Sequence, residues 1–301
     1  MARTLPALRA VPAGDDRLLP GKLITAFNVR TQQFQTVLTT DLPRQKVAAR
    51  EVVATLPVRS LILADLDYFS FRWFDELTDA DYWYVSKLRN KTSWAVVHVL
   101  SAHGQVRDEL VWLGAYRADQ AKHLVRRIQV PVGKTVHTYL TNVLDPRQLA
   151  IVDVIRLYAR RWDIEFAFKT VKRDLGLHLH WSAKWELILT QIWGALLIAQ
   201  IAAALRAQIA QRAGIDLFDV SLTLLLRDLP HLVRRGDDDL IGRIAALPVT
   251  KGGYLRPSRR MRHTMPDDLP MTPPPQDLRR VRTPRYVGRR CGPSGTDLRP
   301  A

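Results

Sequence analysis

Apolar and polar positions along the first part of the chain predict strands and one short helix. Two apolar-rich runs, Lys22–Val29 and Phe34–Thr40, are separated mainly by polar residues, which predicts an antiparallel hairpin. Val47–Thr55 has the spacing of a short amphipathic helix. Ser60–Ala64 is a continuous apolar run that ends abruptly at Asp65. This is the pattern of a buried central strand with an acid at its carboxyl end.

The middle of the chain changes from a strand-like to a helical pattern. From Tyr82 to Leu144, short runs rich in Val, Trp, Tyr and Leu alternate with turn residues, which predicts a β-rich segment of about 60 residues. A long helix is predicted next, with Asp145 as its N-cap, Pro146 at its first position and Gly176 just past its end. Three further helices are predicted at Ser182–Arg212, Leu217–Leu229 and Leu240–Ala246.

These changes of pattern predict five segments along an α/β chain. They are an irregular N-terminal stub at residues 1–20, a first core part at 21–81, a β-rich segment at 82–144, a helical part at 145–247 and a basic tail at 248–301. The tail is rich in Pro and Arg, so we expect it to be disordered or extended.

The most apolar part of the chain, Leu187–Leu205, raises the question of a membrane span. It contains Thr190, Gln191 and Gln200 and lies between charged helical flanks, so a buried helix of a soluble domain is the favoured interpretation. Soluble expression without detergent would dismiss the membrane alternative. The single cysteine, Cys291, has no partner in the chain for a disulfide, which agrees with a reducing cytoplasm.

The net charge narrows the range of partners. The chain has 45 Lys and Arg residues against 29 Asp and Glu residues, a formal charge of +16 and a pI near 10.4. Half of this surplus lies in residues 251–301, so the remainder of the chain is basic as well. A polyanionic partner is therefore expected, with nucleic acid favoured over an anionic membrane surface.

The long predicted helix carries four polar residues of four kinds on one face. On an ideal helix, Tyr158, Arg161, Glu165 and Lys172 share a stripe about 60° wide, whereas most of the other positions are apolar. The alternative is an exposed stripe of ion pairs, in which Glu165 is flanked by Arg161 and Lys172. Because solvated charges are usually scattered more widely around a helix, the stripe favours a functional site.

The spacing Tyr158-x2-Arg161-x3-Glu165-x6-Lys172 resembles the signature helix of DDE transposases of bacterial insertion sequences, the "IS-four" family. Leu61–Ser70, with Asp65 inside it, looks like the strand that delivers the second catalytic Asp of that family. Tyr139–Asn142 resembles the short block ahead of the signature helix. The resemblance runs from about Lys22 to Ala246. It implies an RNase H-like core with a β-rich insertion at Tyr82–Leu144 and a helical C-terminal part.

The resemblance also implies a metal-dependent reaction on DNA. Cleavage and strand transfer by two metal ions need carboxylates that hold the cations, Mg²⁺ with Mn²⁺ as a substitute. Asp65 and Glu165 would be catalytic residues and metal ligands. The implied partners are double-stranded DNA, as transposon ends and target, and a second copy of the chain in a synaptic homodimer. The implied location is the bacterial cytoplasm, at the nucleoid.

DNA contacts are implied for four side chains of the signature helix. Arg161 and Lys172 would grip phosphates of the transposon end, and Tyr158 would donate to a phosphate oxygen. Trp162 would stack on a base displaced from the duplex. The alternative for Trp162 is packing in the core.

A DDE enzyme needs a third carboxylate, which belongs on the opening strand of the core. The residues before Lys22 contain Asp15 and Asp16, but in a stretch that reads as a turn. We therefore expect an N-terminally truncated copy with an incomplete core. After Asp65 the chain has Leu66-Asp67 where the family has Arg-Gly, and Asp67 is expected at the surface. Two hypotheses follow: a truncated transposase, or an inactive DNA-binding remnant that inhibits a full-length copy.

Overall fold

The chain forms two compact units that combine distant parts of the sequence. The computed structural model describes residues 3–4, 22–40, 45–132, 135–177, 182, 184–234, 236, 239–257 and 272–276. The first unit contains Met1–Ser60 and Ile155–Thr264, and the second contains Leu61–Val154 and Met265–Ala301. Asp15, Asp16 and Cys291 lie outside the described residues. The five predicted segments remain predictions.

The first unit contains a small antiparallel sheet. Its strands are β1 (Arg3–Thr4), β2 (Lys22–Asn28) and β3 (Gln33–Thr40), in the order β1-β2-β3. The β2–β3 hairpin confirms the prediction to within about a residue at each end. Its turn ends at Gln32, which has a left-handed φ of 60° and donates its N–H to the Asn28 carbonyl. Helix α1 (Gln45–Ala54) follows and also confirms its prediction.

The second unit is built on a six-stranded sheet of mixed direction, with one helix beside it. The elements are β4 (Leu61–Ala64), α2 (Phe71–Asp79), β5 (Trp83–Lys87), β6 (Trp94–His103), β7 (Val106–Leu113), β8 (Val125–Val132) and β9 (Thr135–Thr141). The strand order is β4-β5-β9-β8-β7-β6, with β4 parallel to β5 and the other neighbours antiparallel. The expected α/β composition is confirmed, and the strands β5 to β9 lie within residues 82–144.

β4 differs from its prediction. It lies at one edge of the described sheet, and only Ala64 of its four residues is buried. The expectation of a buried central strand is therefore wrong for this sheet. An apolar run of this length indicates a strand but does not show how many neighbours the strand has.

A helical run of four consecutive segments connects the two units. It consists of α3 (Ile151–Ala159), a 3₁₀ turn (Arg160–Trp162), α4 (Asp163–Lys169) and a π-helical turn (Thr170–Asp174). Gly176, with φ of 70°, lies just past the end, as predicted.

The predicted start of this helix is wrong. Asp145 instead closes a tight turn: its side chain accepts the N–H of Arg147 at 2.9 Å and pairs with the Arg147 guanidinium at 2.7 Å. An Asp side chain bonds to the backbone two residues on in a turn as readily as it caps a helix, so the Asp-Pro signal was ambiguous. The helix begins six residues later, at Ile151.

Three helices complete the first unit: α5 (Trp185–Ala213), α6 (Leu222–Arg234) and α7 (Leu240–Ala245). One side of α5 and of α4 packs on the β2–β3 hairpin, with the Phe34 and Phe168 rings 5.6 Å apart. The buried members of this core are Leu23, Phe34, Phe168, Val171, Leu177, Ile188, Ile192, Ala195, Leu196 and Ala199. The apolar side of the helical run therefore packs in the core of the first unit, against the hairpin and α5.

The other side of α5 is apolar and exposed. Leu187, Trp193, Leu197 and Ile201 lie on it. By length and composition Glu186–Ala213 could cross a membrane, with a mean hydropathy of 1.8, and 44% of the most apolar window is buried. The core helices of soluble proteins pass the same test. The predicted buried helix is therefore buried on one side only.

Residues at the start of the predicted tail pack into the first unit. Leu255 pairs with Val220, and the Ser221 N–H donates to the Tyr254 carbonyl at 2.7 Å. Most of the rest of residues 258–301 lies outside the described residues.

A fully buried ion pair lies inside the second unit. The guanidinium of Arg126 on β8 binds the carboxylate of Asp108 on β7 at 2.6 and 2.8 Å, and both side chains have no solvent exposure. Arg126 also donates to the carbonyl of Leu149 at 2.6 Å. This contact attaches the turn before α3 to the sheet, so the pair supports the entry to the helical run.

We expect Arg126→Met to lower the free energy of unfolding by about 3–5 kcal/mol, because it leaves the Asp108 charge buried without compensation. The double variant Arg126→Met/Asp108→Leu should recover most of the loss, since it removes both charges. Urea unfolding followed by circular dichroism measures both variants. Arg72→Met, at an exposed arginine of α2, is the control and should have little effect. Full stability of Arg126→Met would contradict this account.

Candidate active site

Asp65 lies directly after β4, at the carboxyl end of the strand, as expected. Its side chain is half-buried and accepts the backbone N–H of Leu66 at 2.6 Å, which caps a 3₁₀ turn at Leu66–Tyr68. Asp67 is exposed, in agreement with its prediction. Burial, and then the carboxylates of Asp65 and Asp67, raise the pKa of the Tyr68 phenol. Tyr68 therefore remains a protonated hydrogen-bond donor beside these acids at neutral pH.

Glu165 and Arg161 form an ion pair on the helical run of the first unit. An Arg161 nitrogen lies 3.0 Å from a Glu165 carboxylate oxygen, and the two side chains are 11% and 17% exposed. They are four residues apart, one turn along the helix, so each restricts the rotamers of the other. An ion pair of Glu165 belonged to the alternative interpretation of the sequence, as part of an exposed stripe, but the pair observed here is largely buried.

Two aromatic residues of the helical run, Tyr158 and Trp162, lie close to Arg161. Its guanidinium carbon lies 4.7 Å from the Trp162 ring centre and 5.9 Å from that of Tyr158. Tyr158 is buried, whereas Trp162 is 53% exposed. The alternative that Trp162 packs in the core therefore does not describe this ring. Arginine stacked on an indole is a favourable cation–π arrangement, and here it orders an exposed aromatic side chain.

Lys172 lies in the π-helical turn, half-buried. In this turn the Leu175 N–H donates to the Thr170 carbonyl at 3.1 Å, a bond that spans five residues. The 60° stripe assumed a regular α-helix, so the 3₁₀ and π turns on either side of α4 make that angle approximate.

The two candidate catalytic acids belong to different compact units. Glu165 belongs to the first unit and Asp65 to the second.

A buried carboxylate that sequence reasoning missed holds this segment in place. Asp163 is 1% exposed and accepts hydrogen bonds from Gln32 at 3.0 Å and from Arg160 at 3.1 Å. Gln32 and Arg160 also donate to the carbonyl of Val29. The hairpin turn is therefore tied to the helical run two residues from Glu165. The sequence did contain a signal for this role: Asp163 lies on the side of the helix opposite Glu165 and three residues after Arg160.

A comparison with protein families matches residues 19–201, more than half of the chain, to the transposase DDE domain. The chain belongs to this family. A search of curated proteins finds no match. Membership of this family indicates a transposase, which acts in transposition and DNA recombination. It implies DNA as the substrate and a divalent metal as the cofactor.

Asn142, in the block that precedes the family's signature helix, has a structural role in this DDE-domain chain. Its side-chain oxygen accepts the Tyr84 N–H at 3.0 Å, and its amide donates to the Tyr82 carbonyl at 2.8 Å and to Thr78 at 3.1 Å. These bonds join the end of β9 to the start of β5 and the end of α2. Asn142 therefore sets the strand positions ahead of the helical run.

The donor chemistry of the transposase agrees with a hard divalent cation. Asp65 and Glu165 supply carboxylate oxygens, which Mg²⁺ and Mn²⁺ prefer. Within the part of the chain that the structure describes, no group of three or more acidic, His or Cys side chains is gathered to hold a metal. The two predicted acids fit the cofactor by type.

We expect Asp163→Ala to lower the free energy of unfolding by about 2–3 kcal/mol, because two hydrogen bonds to a buried charge are lost. Asp163→Asn should lose less, since an amide oxygen still accepts from Gln32. Urea unfolding measures both variants. Asp153→Ala, at an exposed acid of α3, is the matched control. Equal stability of Asp163→Ala and Asp153→Ala would show that the Asp163 network does not hold the segment.

Proposed function

We propose that this DDE transposase belongs to the IS-four branch and performs metal-dependent cleavage and strand transfer at insertion-sequence ends. The observation that carries the proposal is the ordered Trp162–Arg161–Glu165 group, with an ion pair of 3.0 Å, inside the family match. Asp65, at the carboxyl end of a strand, is the second acid. The mixed α/β architecture is compatible with an RNase H-like core.

Asp65 and Glu165 would hold the divalent cation, Mg²⁺ or Mn²⁺. When bound, such a cation supplies charge stabilisation for the attacking and leaving oxygens of a phosphodiester exchange. Arg161 keeps Glu165 oriented before DNA binds, because the pair is largely buried. Its guanidinium is the group that would contact a phosphate oxygen of the transposon end.

Duplex DNA would bind along the signature side of the helical run. Lys172 and Arg161 would neutralise phosphates, Tyr158 would donate to a phosphate oxygen, and Trp162 would stack on a displaced base. A homodimer in a synaptic complex and a location in the bacterial cytoplasm belong to the same proposal. So does the division into core part 21–81, insertion 82–144 and helical part 145–247.

The third carboxylate would lie on a strand outside the described residues. In the described sheet β4 pairs with β5 alone, and β1 pairs with only Lys22 and Leu23 of β2.

The second candidate function is an inactive DNA-binding remnant that inhibits a full-length copy. It is favoured by the absence, among the described residues, of any group of three or more acidic, His or Cys side chains that could hold a metal. Such a chain would retain Arg161, Trp162 and Lys172 and therefore DNA affinity. The two candidates differ in strand transfer and not in binding.

We expect Glu165→Gln and Glu165→Ala to abolish strand transfer while duplex binding changes by only a few fold, because the acid holds the cation and not the DNA. The assay uses pre-cleaved ends carrying the inverted repeats that flank the gene, with Mg²⁺ or Mn²⁺. Glu51→Gln, at an exposed acid of α1, is the control. Unchanged transfer in Glu165→Gln would refute the assignment. No transfer by the unmodified chain, with binding intact, would favour the remnant.

We expect duplex affinity to fall steeply with salt, because Lys and Arg contacts to phosphates release counterions. Four such contacts would lower affinity by about 10²-fold between 50 and 200 mM salt, on the usual slope per contact. Fluorescence anisotropy across a salt series measures the slope. Lys172→Gln should reduce the slope by about one contact. A flat titration would argue against a basic DNA-binding surface.

A further inference from the structure

Strand β6 lies at one edge of the described six-stranded sheet, where it pairs with β7. It has ten residues, and its sequence contains no Asp, Glu, Lys, Arg, Pro or Gly. Val96 and Val99 on this strand are 46% and 44% exposed. A long, uncharged apolar edge is a template for a strand of another chain, and native proteins guard such edges with charges, prolines or a covering segment.

A covering segment comes from the C-terminal part of the chain. The Thr272 N–H donates to the carbonyl of Leu100 on β6 at 2.7 Å. Leu100 is the extra residue of a bulge, because the register with β7 passes from Val99 directly to Ser101. The extra residue of a bulge is left out of the ladder between the two strands. Its carbonyl is therefore available to a segment on the other side of β6, and Thr272 uses it.

The residues after Thr272 are suited to end a sheet. Pro273, Pro274 and Pro275 have no N–H, so they cannot extend the hydrogen bonding of the sheet to a further strand. Pro274 is half-buried, whereas the other residues of 272–276 are exposed. Because proline fixes φ, such a segment loses little conformational freedom when it docks.

We propose that Thr272–Gln276 is a cap on β6, which keeps this edge from pairing with β6 of a second copy of the chain. Leu100 is the seventh of the ten residues of β6, so the cap interrupts the edge within the strand. Leu100 and Thr272 belong to the same compact unit. Two copies related by a two-fold axis would otherwise bring their β6 edges together as antiparallel neighbours. No residue of the proposed DNA chemistry takes part in this contact.

The size of the effect follows from competition between the cap and a second copy. Loss of one hydrogen bond lowers the ratio of capped to open β6 by roughly 2- to 10-fold. Because both copies must open before two β6 edges pair, this factor enters the dimerisation constant twice. Thr272→Pro, which removes the donated N–H, should therefore strengthen dimerisation by roughly 4- to 100-fold.

The test uses full-length variants in matched pairs and measures self-association without DNA by analytical ultracentrifugation. Thr272→Pro is compared with Thr272→Ala, which keeps the N–H. Pro274→Asp introduces a charge at the half-buried position and is compared with Pro275→Asp, the same change at an exposed position. Circular dichroism checks that each variant is folded.

Hydrogen exchange resolved to single residues tests the contact itself. In the unmodified protein the Thr272 amide should exchange roughly 10-fold more slowly than that of Gln276, if the capped form outweighs the open form by about ten to one. Gln276 is the next residue of the segment that has an N–H. Pro274→Asp should remove the protection of Thr272, and Pro275→Asp should retain it.

We expect Thr272→Pro and Pro274→Asp to dimerise more strongly than the unmodified protein, with Thr272→Ala and Pro275→Asp unchanged. Adding Val99→Lys, which places a charge on β6, should reverse the dimerisation of Pro274→Asp. Adding Val136→Lys is the control, because Val136 is similarly exposed but lies on β9, an inner strand of the described sheet.

Three results would overturn the inference. Rapid exchange of the Thr272 amide in the unmodified protein would show that the cap is not docked. Unchanged self-association of Pro274→Asp, once that protection is lost, would show that the β6 edge does not need a cover. Equal reversal by Val99→Lys and Val136→Lys would assign the association to net charge and not to β6. Duplex binding measured on the same variants tests the proposed function separately, since its residues are unchanged in all of them.

Discussion

The buried Asp163 carboxylate connects the two parts of the first unit on which the candidate chemistry depends. It accepts hydrogen bonds from Gln32 in the hairpin turn and from Arg160 in the helical run. A charge with 1% exposure is stable only if it is compensated, so the turn and the helix cannot separate without a large cost. Because Glu165 lies two residues away on a different side of the helix, the same network sets its position.

One side of the helical run packs in the core of the first unit, and another side carries the residues of the candidate active site. Phe168 and Val171 join the hairpin and α5 in one core, while Arg161, Glu165 and Trp162 remain at or near the surface. The run is not a uniform helix, since 3₁₀ and π turns lie on either side of α4. π-helical turns occur often at functional sites because they change the direction of a few side chains without ending the helix. Lys172 lies in such a turn.

In the second unit, two polar groups stabilise the part of the sheet from which the chain enters α3. Arg126 and Asp108 join β8 to β7 and hold the Leu149 carbonyl, and Asn142 joins β9 to β5 and α2. Neither group belongs to the proposed chemistry. Both define where the chain leaves the sheet and enters α3, so mutations there should reduce stability before they affect DNA binding.

Local sequence patterns were enough to predict the hairpin, the strand before Asp65 and the resemblance to DDE transposases through the spacing of Tyr158, Arg161 and Glu165. These are local patterns, set by the period of a helix or strand and by residue type. The packed structure was needed to show that Asp145 closes a turn, that β4 lies at one edge of the described sheet, and that Phe166 is exposed while Phe168 is buried. The reason is physical: periodicity shows which residues share a side, but the neighbouring element decides whether that side is covered.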